Sequence, residues 1–253
     1  MQTVFIIGTA GSGKSLLTAS LSQWLRSQGC DVAILNLDPG ALTLPYTPDV
    51  DIREYIRVED IMRRYGLGPN GALIMAADLI ASQINEIKDD IESCNPDMLI
   101  VDTPGQMELF AFRASGPFII NGLTNEPKAI IYLFDAVFSL NPLNYISNMF
   151  LAAAVYHRFL VPQIHVLSKC DLIPKDKIKC IIKWSSKAGC LEEAINKELE
   201  GMKRVLSRDI MMAIRRLELC FSLIPVSAKT YEGFLNLNMI LERVLSGGEK
   251  LAF

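Results

Sequence analysis

Gly8, Gly11 and Gly13 punctuate the run Gly8-Thr9-Ala10-Gly11-Ser12-Gly13-Lys14-Ser15. An apolar stretch, Thr3-Val4-Phe5-Ile6-Ile7, precedes it, and residues of helical spacing follow (Leu16, Leu17, Ala19, Leu21, Trp24, Leu25). Strand, glycine loop and helix is the context in which backbone N–H groups turn inward and surround anionic oxygens. The helix amino terminus adds its partial positive charge. The segment Gly11, Ser12, Gly13, Lys14, Ser15 and Leu16 is therefore a candidate phosphate cradle. In it Lys14 reaches β- and γ-phosphates and the Ser15 hydroxyl ligates Mg²⁺. A plain glycine turn is the simpler alternative, and it leaves the Lys-Ser pair and both flanks unexplained.

Three further groups of residues carry compatible chemistry. The run Met98-Leu-Ile-Val-Asp102 reads as a core strand ending in an acid, followed by Thr103-Pro104-Gly105-Gln106. A strand-terminal Asp after a phosphate loop holds Mg²⁺ directly or through water, Gly105 offers its N–H to a γ-phosphate, and Gln106 stands where a glutamine orients the attacking water. This pairing points to GTP rather than ATP, hydrolysed by water. Asp38 ends a second strand at Asn36-Leu-Asp-Pro-Gly40, placed to reach Mg²⁺ or that water, or else to serve as a turn residue before Pro39. Asp171, in Ser168-Lys169-Cys170-Asp171, can accept from both N1–H and the 2-amino group of guanine, a donor pair adenine lacks. The Lys169 stem can cover a face of the base, and Ser227-Ala228-Lys229 places the Ala228 N–H where it can meet guanine O6.

The elements that must position these residues are short apolar strands alternating with helical stretches. Strands are expected at 3–7, 31–36, 98–102, 129–135, 163–168 and 221–226. Such alternation implies an α/β fold with a mostly parallel sheet of about six strands and right-handed crossovers. Four of the six end in a motif, which gathers the motifs along one sheet edge. Residues 39–56 hold Pro39, Gly40, Pro45 and Pro48 without periodicity, a long loop suited to a nucleotide-sensing switch. Gly66-Leu67-Gly68-Pro69-Asn70-Gly71 is a firm turn whose Asn70 is placed to cap a helix running from Ala72 to Ile91. Residues 174–216 are charged and helix-rich without strand pattern, and read as a helical insert in a single domain covering 1–253.

Composition sets the outer bounds. The 253 residues are 50% hydrophobic and 21% charged, with a formal net charge of −3, which suits a globular core and argues against direct nucleic-acid binding. Six dispersed cysteines (30, 94, 170, 180, 190 and 220) and two histidines, His157 and His165, do not make a zinc site. Buried free thiols in a reducing compartment fit better. The first apolar run is short and lacks a basic region before it, and the apolar stretch Met149 to Leu167 is broken by charged residues and Pro162. The expectation is a cytoplasmic protein without a membrane partner.

In order, Gly8–Ser15, Asp38, Gly68-Pro69-Asn70, Asp102–Gln106, Lys169 with Asp171, and Ser227–Lys229 make the chain resemble the GPN-loop GTPases over nearly its whole length. It looks like an archaeal or single-subunit member. The resemblance implies a homodimer with its nucleotide sites facing the interface. Asn70 then contacts the phosphate region of the partner's nucleotide, while Asp38, Asp102, Gln106 and Glu108 shape the site for water and Mg²⁺. Eukaryotic relatives are linked to assembly of RNA polymerase II, so polymerase subunits are the clients the resemblance suggests. One position departs: the base-reading motif of the family usually begins with Asn, whose amide braces the phosphate loop and contacts guanine N7, and here it is Ser168. The extra early lysine of related ATPases that act in trans is also absent, with Thr9 and Ala10 in its place. Arg53 and Arg113 are the candidate arginine fingers, with surface ion pairing the simpler assignment.

The residues thus predict Mg²⁺-dependent hydrolysis of GTP to GDP and phosphate, in which positioning and electrostatics carry the rate. The rival assignments are a kinase passing the γ-phosphoryl group to a small molecule or polynucleotide, and a slow-hydrolysing assembly chaperone whose output is client binding.

Overall fold

The computed structural model describes residues 1–216 and 221–247, the side chains at 188 and 215 excepted. Cys220 therefore lies outside the described residues. Seven parallel strands form one sheet in the order β3-β2-β4-β1-β5-β6-β7. They are β1 (Gln2–Gly8), β2 (Val32–Asn36), β3 (Val50–Asp51), β4 (Met98–Asp102), β5 (Lys128–Asp135), β6 (Gln163–Ser168) and β7 (Leu223–Pro225). The count exceeds the expected six by β3, two residues paired with Leu35 and Asn36 of β2. A strand that short carries no periodicity of its own, and it lies inside the stretch 39–56 that reads as a loop.

The helices are α1 (Lys14–Ser27), α2 (Ile52–Tyr55), α3 (Val58–Tyr65), α4 (Pro69–Ile80), α5 (Ile84–Cys94), α6 (Glu108–Ala111), α7 (Ser115–Leu123), α8 (Pro142–Phe159), α9 (Lys175–Ser186), α10 (Ala188–Glu198), α11 (Gly201–Arg216) and α12 (Phe234–Leu245). Period-two alternation divides the strand side chains between two cores. Val4 and Ile6 join Leu17 and Leu21 of α1 and Phe234 and Leu241 of α12 on one face. Phe5 and Ile7 face the opposite core with residues of α4, α5, α7 and α8, where Trp184, Ile195 and Met211 of α9–α11 also pack. Both sheet faces are covered, which is why the central strands read as unbroken apolar runs.

Two local expectations change. The stretch from Ala72 to Ile91 is not one helix, because a 3₁₀ turn over Ala81–Gln83 separates α4 from α5. Asn70 does not cap α4. The N-cap is Gly68, Pro69 occupies the first turn, and no side chain donates or accepts at the cap. Proline at the first helical position, with its fixed φ and absent N–H, sets the start of this helix.

Candidate functional site

The sheet order has its reversal at β1, flanked by β4 and β5, and in open α/β sheets ligands gather at the carboxyl ends of strands beside such a point. The glycine loop leaves β1 here. Gly11 and Gly13 have φ of +75° and +96°, the left-handed conformation that a side chain would strain. Gly13 is the N-cap of α1, so Lys14 and Ser15 open the helix at its positive end. Leu16, next in the loop-to-helix segment, is exposed.

Lys14 is buried, and its Nζ donates to the carbonyl oxygens of Gly8 (3.1 Å), Thr9 (3.2 Å) and Gly105 (3.0 Å). Burial lowers its pKa from the ordinary lysine value, while Asp102, Asp38 and Glu108 pull it back up. The ammonium thus spans the glycine loop and the turn after β4. Asp102, at the end of β4, is also buried, and desolvation raises its pKa against the hydrogen bond of Tyr46, the nearby Ser15 hydroxyl and the charge of Lys14. Its Oδ2 accepts from the Tyr46 hydroxyl at 2.7 Å, and its Oδ1 has no hydrogen-bond partner. Burial and the same carboxylate push the Tyr46 phenol well above its usual range. Asp38 bridges two turns, Oδ1 accepting from Gly40 N–H (2.9 Å) and Oδ2 from Gly105 N–H (2.8 Å). It is therefore both the turn residue and a neighbour of the glycine meant for a γ-phosphate.

Asp38, Gly105 and Gln106 line a cavity of about 220 Å³ with Ala10, Leu73 and Leu109. Gln106 is exposed on this rim, and Glu108, also exposed, opens α6 just beyond it. Leu73 and Ala77 of α4 form one wall, and Asn70 precedes them by one and two turns of the same helix. Asn70 is exposed, and its side chain makes no hydrogen bond among the described residues.

A second cavity, also about 220 Å³, lies on the other side of the loop and is lined by Ser12, Gly13, Ser168, Lys169, Asp171 and Ala228, among others. Asp171 Oδ1 accepts from the Ser227 hydroxyl at 2.8 Å, which fixes the carboxylate on the turn after β7. Lys169, at φ +59°, pairs with Asp135 at 2.7 Å, and its stem passes within 4 Å of where a Cβ on Gly13 would stand. Lys229 is exposed at the rim of this cavity. Ser168 replaces a lost brace rather than lacking one: its hydroxyl lies 2.8 Å from the Ser12 carbonyl and 3.3 Å from that of Phe134.

The two candidate arginines are held by carboxylates. Arg53 forks onto Asp51 and donates to the Ala41 carbonyl at 2.8 Å, and Arg113 forks onto Asp78. The charge of Arg53 is also felt by Tyr46 and Asp38, whereas Asp78 is the charged partner of Arg113. Tyr46 was not legible as a site residue. Its reach depends on the path of the loop between Pro45 and Pro48, and its only sequence signal is an aromatic hydroxyl in a proline-bounded segment.

The site residues fit Mg²⁺. A hard cation of this kind takes one or two carboxylates with hydroxyl, water and phosphate oxygens, and the buried Asp102 beside Ser15 has one oxygen without a partner. Among the described residues, no cluster of three or more His, Cys, Asp or Glu side chains makes an all-protein metal site.

The chain matches over residues 6–246 the family model described as a conserved hypothetical ATP binding protein. It is 33% identical over 246 residues to a GPN-loop GTPase of Pyrococcus abyssi, covering 94% of each chain. The crystal structure of a Pyrococcus abyssi GTPase in apo form superposes with a TM-score of 0.85 at 31% identity, over 96% of this chain and 97% of that one. GPN-loop GTPase 1 of Saccharomyces cerevisiae is 29% identical over 92% of this chain, and its Schizosaccharomyces pombe namesake 33% over 79%. The aligned regions span only 63% and 54% of those two yeast relatives.

Proposed function

The chain belongs to the GPN-loop GTPase family, and from that premise we propose that it binds GTP and hydrolyses it to GDP and phosphate with Mg²⁺. The observation that carries the reading is the convergence of Lys14, Asp102, Gly105 and Asp171 around one glycine loop at the carboxyl edge of the sheet.

In this reading the β- and γ-phosphates lie in the cradle of residues 11–16. Lys14 gives up its carbonyl contacts for phosphate oxygens, which repay a buried ammonium better than neutral acceptors do. Mg²⁺ would neutralise charge on the β- and γ-phosphate oxygens, held by Ser15 and Asp102 with Asp38 close by. Gly105 N–H turns from Asp38 to the γ-phosphate. That frees the Asp38 carboxylate, which with Gln106 and Glu108 orients the attacking water in the cavity they border. Asp171, steadied by Ser227, selects guanine, Ala228 N–H meets O6, and the stems of Lys169 and Lys229 flank the base. This corner favours GTP over ATP, whatever nucleotide the description of the matching family model mentions.

Because Gly105 and Asp102 are both tied to the 38–46 segment, binding and hydrolysis are coupled to the position of that loop. We extend the reading to a cytoplasmic homodimer in which the exposed Asn70 meets the partner's nucleotide, and to protein clients such as polymerase subunits. Among the described residues no helix is long and apolar enough to cross a membrane. The test is phosphate release from GTP and ATP by the purified chain, with sedimentation of the GTP- and GDP-bound forms. Turnover of GTP that needs Mg²⁺ and exceeds that of ATP is expected. Equal turnover of both nucleotides would remove the guanine assignment, and transfer of label to an added acceptor would favour a kinase.

A further inference from the structure

Ser168 closes β6 at the wall of the cavity that Asp171 and Ala228 share. Its buried hydroxyl has two protein neighbours at bonding distance, the carbonyl oxygens of Ser12 (2.8 Å) and Phe134 (3.3 Å). Carbonyls only accept, and a hydroxyl has one proton. That proton is therefore committed to the backbone of the phosphate loop or of β5, and what Ser168 retains for a ligand is lone pairs. Guanine N7 is itself an acceptor, and two acceptors do not bond.

The other side-chain donors around the cavity are directed elsewhere. The Ser12 hydroxyl is buried without a hydrogen-bond partner and is turned toward Gly8, where an added Cβ would stand 2.7 Å from it. The Lys169 ammonium is paired with Asp135. Lys229 rides on the turn that the Ser227–Asp171 hydrogen bond ties to the Watson–Crick side. Leu16, Leu17, Leu172 and Val226 supply apolar contact.

We infer that this chain reads guanine on its Watson–Crick edge alone, with N7 left unbonded by the protein, so that guanine nucleotides altered at position 7 belong to its substrate class. Ser168 is then a specificity-determining residue that keeps the brace on the phosphate loop and gives up the reading of N7. The inference rests on the guanine assignment of Asp171.

Displacement of a fluorescent GDP analogue by GTP, 7-deaza-GTP and ATP tests it on the intact chain. GTP and 7-deaza-GTP are expected to bind within about twofold of each other, and ATP about 100-fold more weakly. A loss of about fivefold or more for 7-deaza-GTP, with ATP still far weaker, overturns the inference and leaves the guanine assignment standing. ATP binding as tightly as GTP overturns the guanine assignment itself. Ser168→Asn, which adds an amide with two donors, is expected to make 7-deaza-GTP about three- to tenfold weaker than GTP. If that ratio stays at one in a folded S168N protein, position 168 does not face N7 and the assignment is overturned. Should the variant fail to fold, the ratio in the unaltered chain still decides.

Discussion

Asp102 is buried beside a lysine, a tyrosine and a serine, and one of its oxygens has no partner. Tyr46 relieves part of that cost, since a hydrogen bond to a charged acceptor is stronger than a neutral one. In the proposed site the same bond would compete with Mg²⁺ for the carboxylate. Tyr46→Phe is therefore expected to bind Mg²⁺·GTP about fivefold more tightly, a difference of about 1 kcal/mol. Titration of a fluorescent GTP analogue at fixed Mg²⁺ measures this, and an unchanged or weaker affinity would show that Tyr46 does not compete. Gln106 is exposed and anchored to no other side chain among the described residues, so Gln106→Leu should leave GTP affinity within about twofold and cut single-turnover hydrolysis by about 100-fold or more, the scale of a lost transition-state positioning group. Unchanged turnover would sink the water-positioning role. Asp171→Asn exchanges an acceptor for a donor where the proposed site meets guanine N1–H and its 2-amino group, and should move preference from GTP toward xanthosine triphosphate. Competition binding with no such move would remove Asp171 from the base.

At the scale of elements, α4 decides between two roles for Asn70. Pro69 sets the helix start and Gly68 is the N-cap, so Asn70 does no capping work that its removal would undo. Its helix face continues into Leu73 and Ala77, the wall of the Asp38–Gln106 cavity. Asn70→Ala is accordingly expected to lower GTP turnover about tenfold with melting temperature unchanged, since an exposed, unbonded side chain costs little stability. A fall in melting temperature with full turnover would return Asn70 to a structural role. The elements also show what the sequence could carry. Apolar runs ending at Gly8, Asp102 and Ser168 were legible because central parallel strands are apolar on both faces. β3 was not, because its two residues are held by pairing with β2 and not by a pattern of their own. Asn70 misleads for a related reason: Asn is a good N-cap in general, but the proline before it already fixes the helix start. The bonds Ser168–Ser12 and Tyr46–Asp102 join residues distant in sequence, and no spacing rule foretells which loop folds over which strand end.

At the scale of the whole molecule, the sheet presents one strand edge to chemistry and seals the rest, and His165 shows how thorough that sealing is. On β6, Gln163, His165 and Leu167 alternate toward one face, where the imidazole packs 4.7 Å from the Phe221 ring and 5.9 Å from Phe134, centroid to centroid. Its polar neighbour there is the Gln163 amide, 3.0 Å away. Burial lowers its pKa from 6.5 to about 3. Above pH 6.5 the ring is neutral folded or unfolded, and it costs nothing. Between that value and about 3 only the unfolded chain takes up the proton, so stability falls by about 1.4 kcal/mol per pH unit. Asp102 acts in the opposite sense, since its raised pKa makes the folded chain the better proton acceptor as pH drops. The comparison must therefore be between variants. From pH 7 to pH 5, the unfolding free energy of the parent chain should fall by about 2 kcal/mol more than that of His165→Gln. The second histidine, His157, is exposed on α8 and common to both proteins, so its contribution cancels. Urea unfolding at the two pH values reads the difference directly, and parallel losses in the two proteins would mean that the ring at 165 accepts its proton in the folded chain as readily as in the unfolded one.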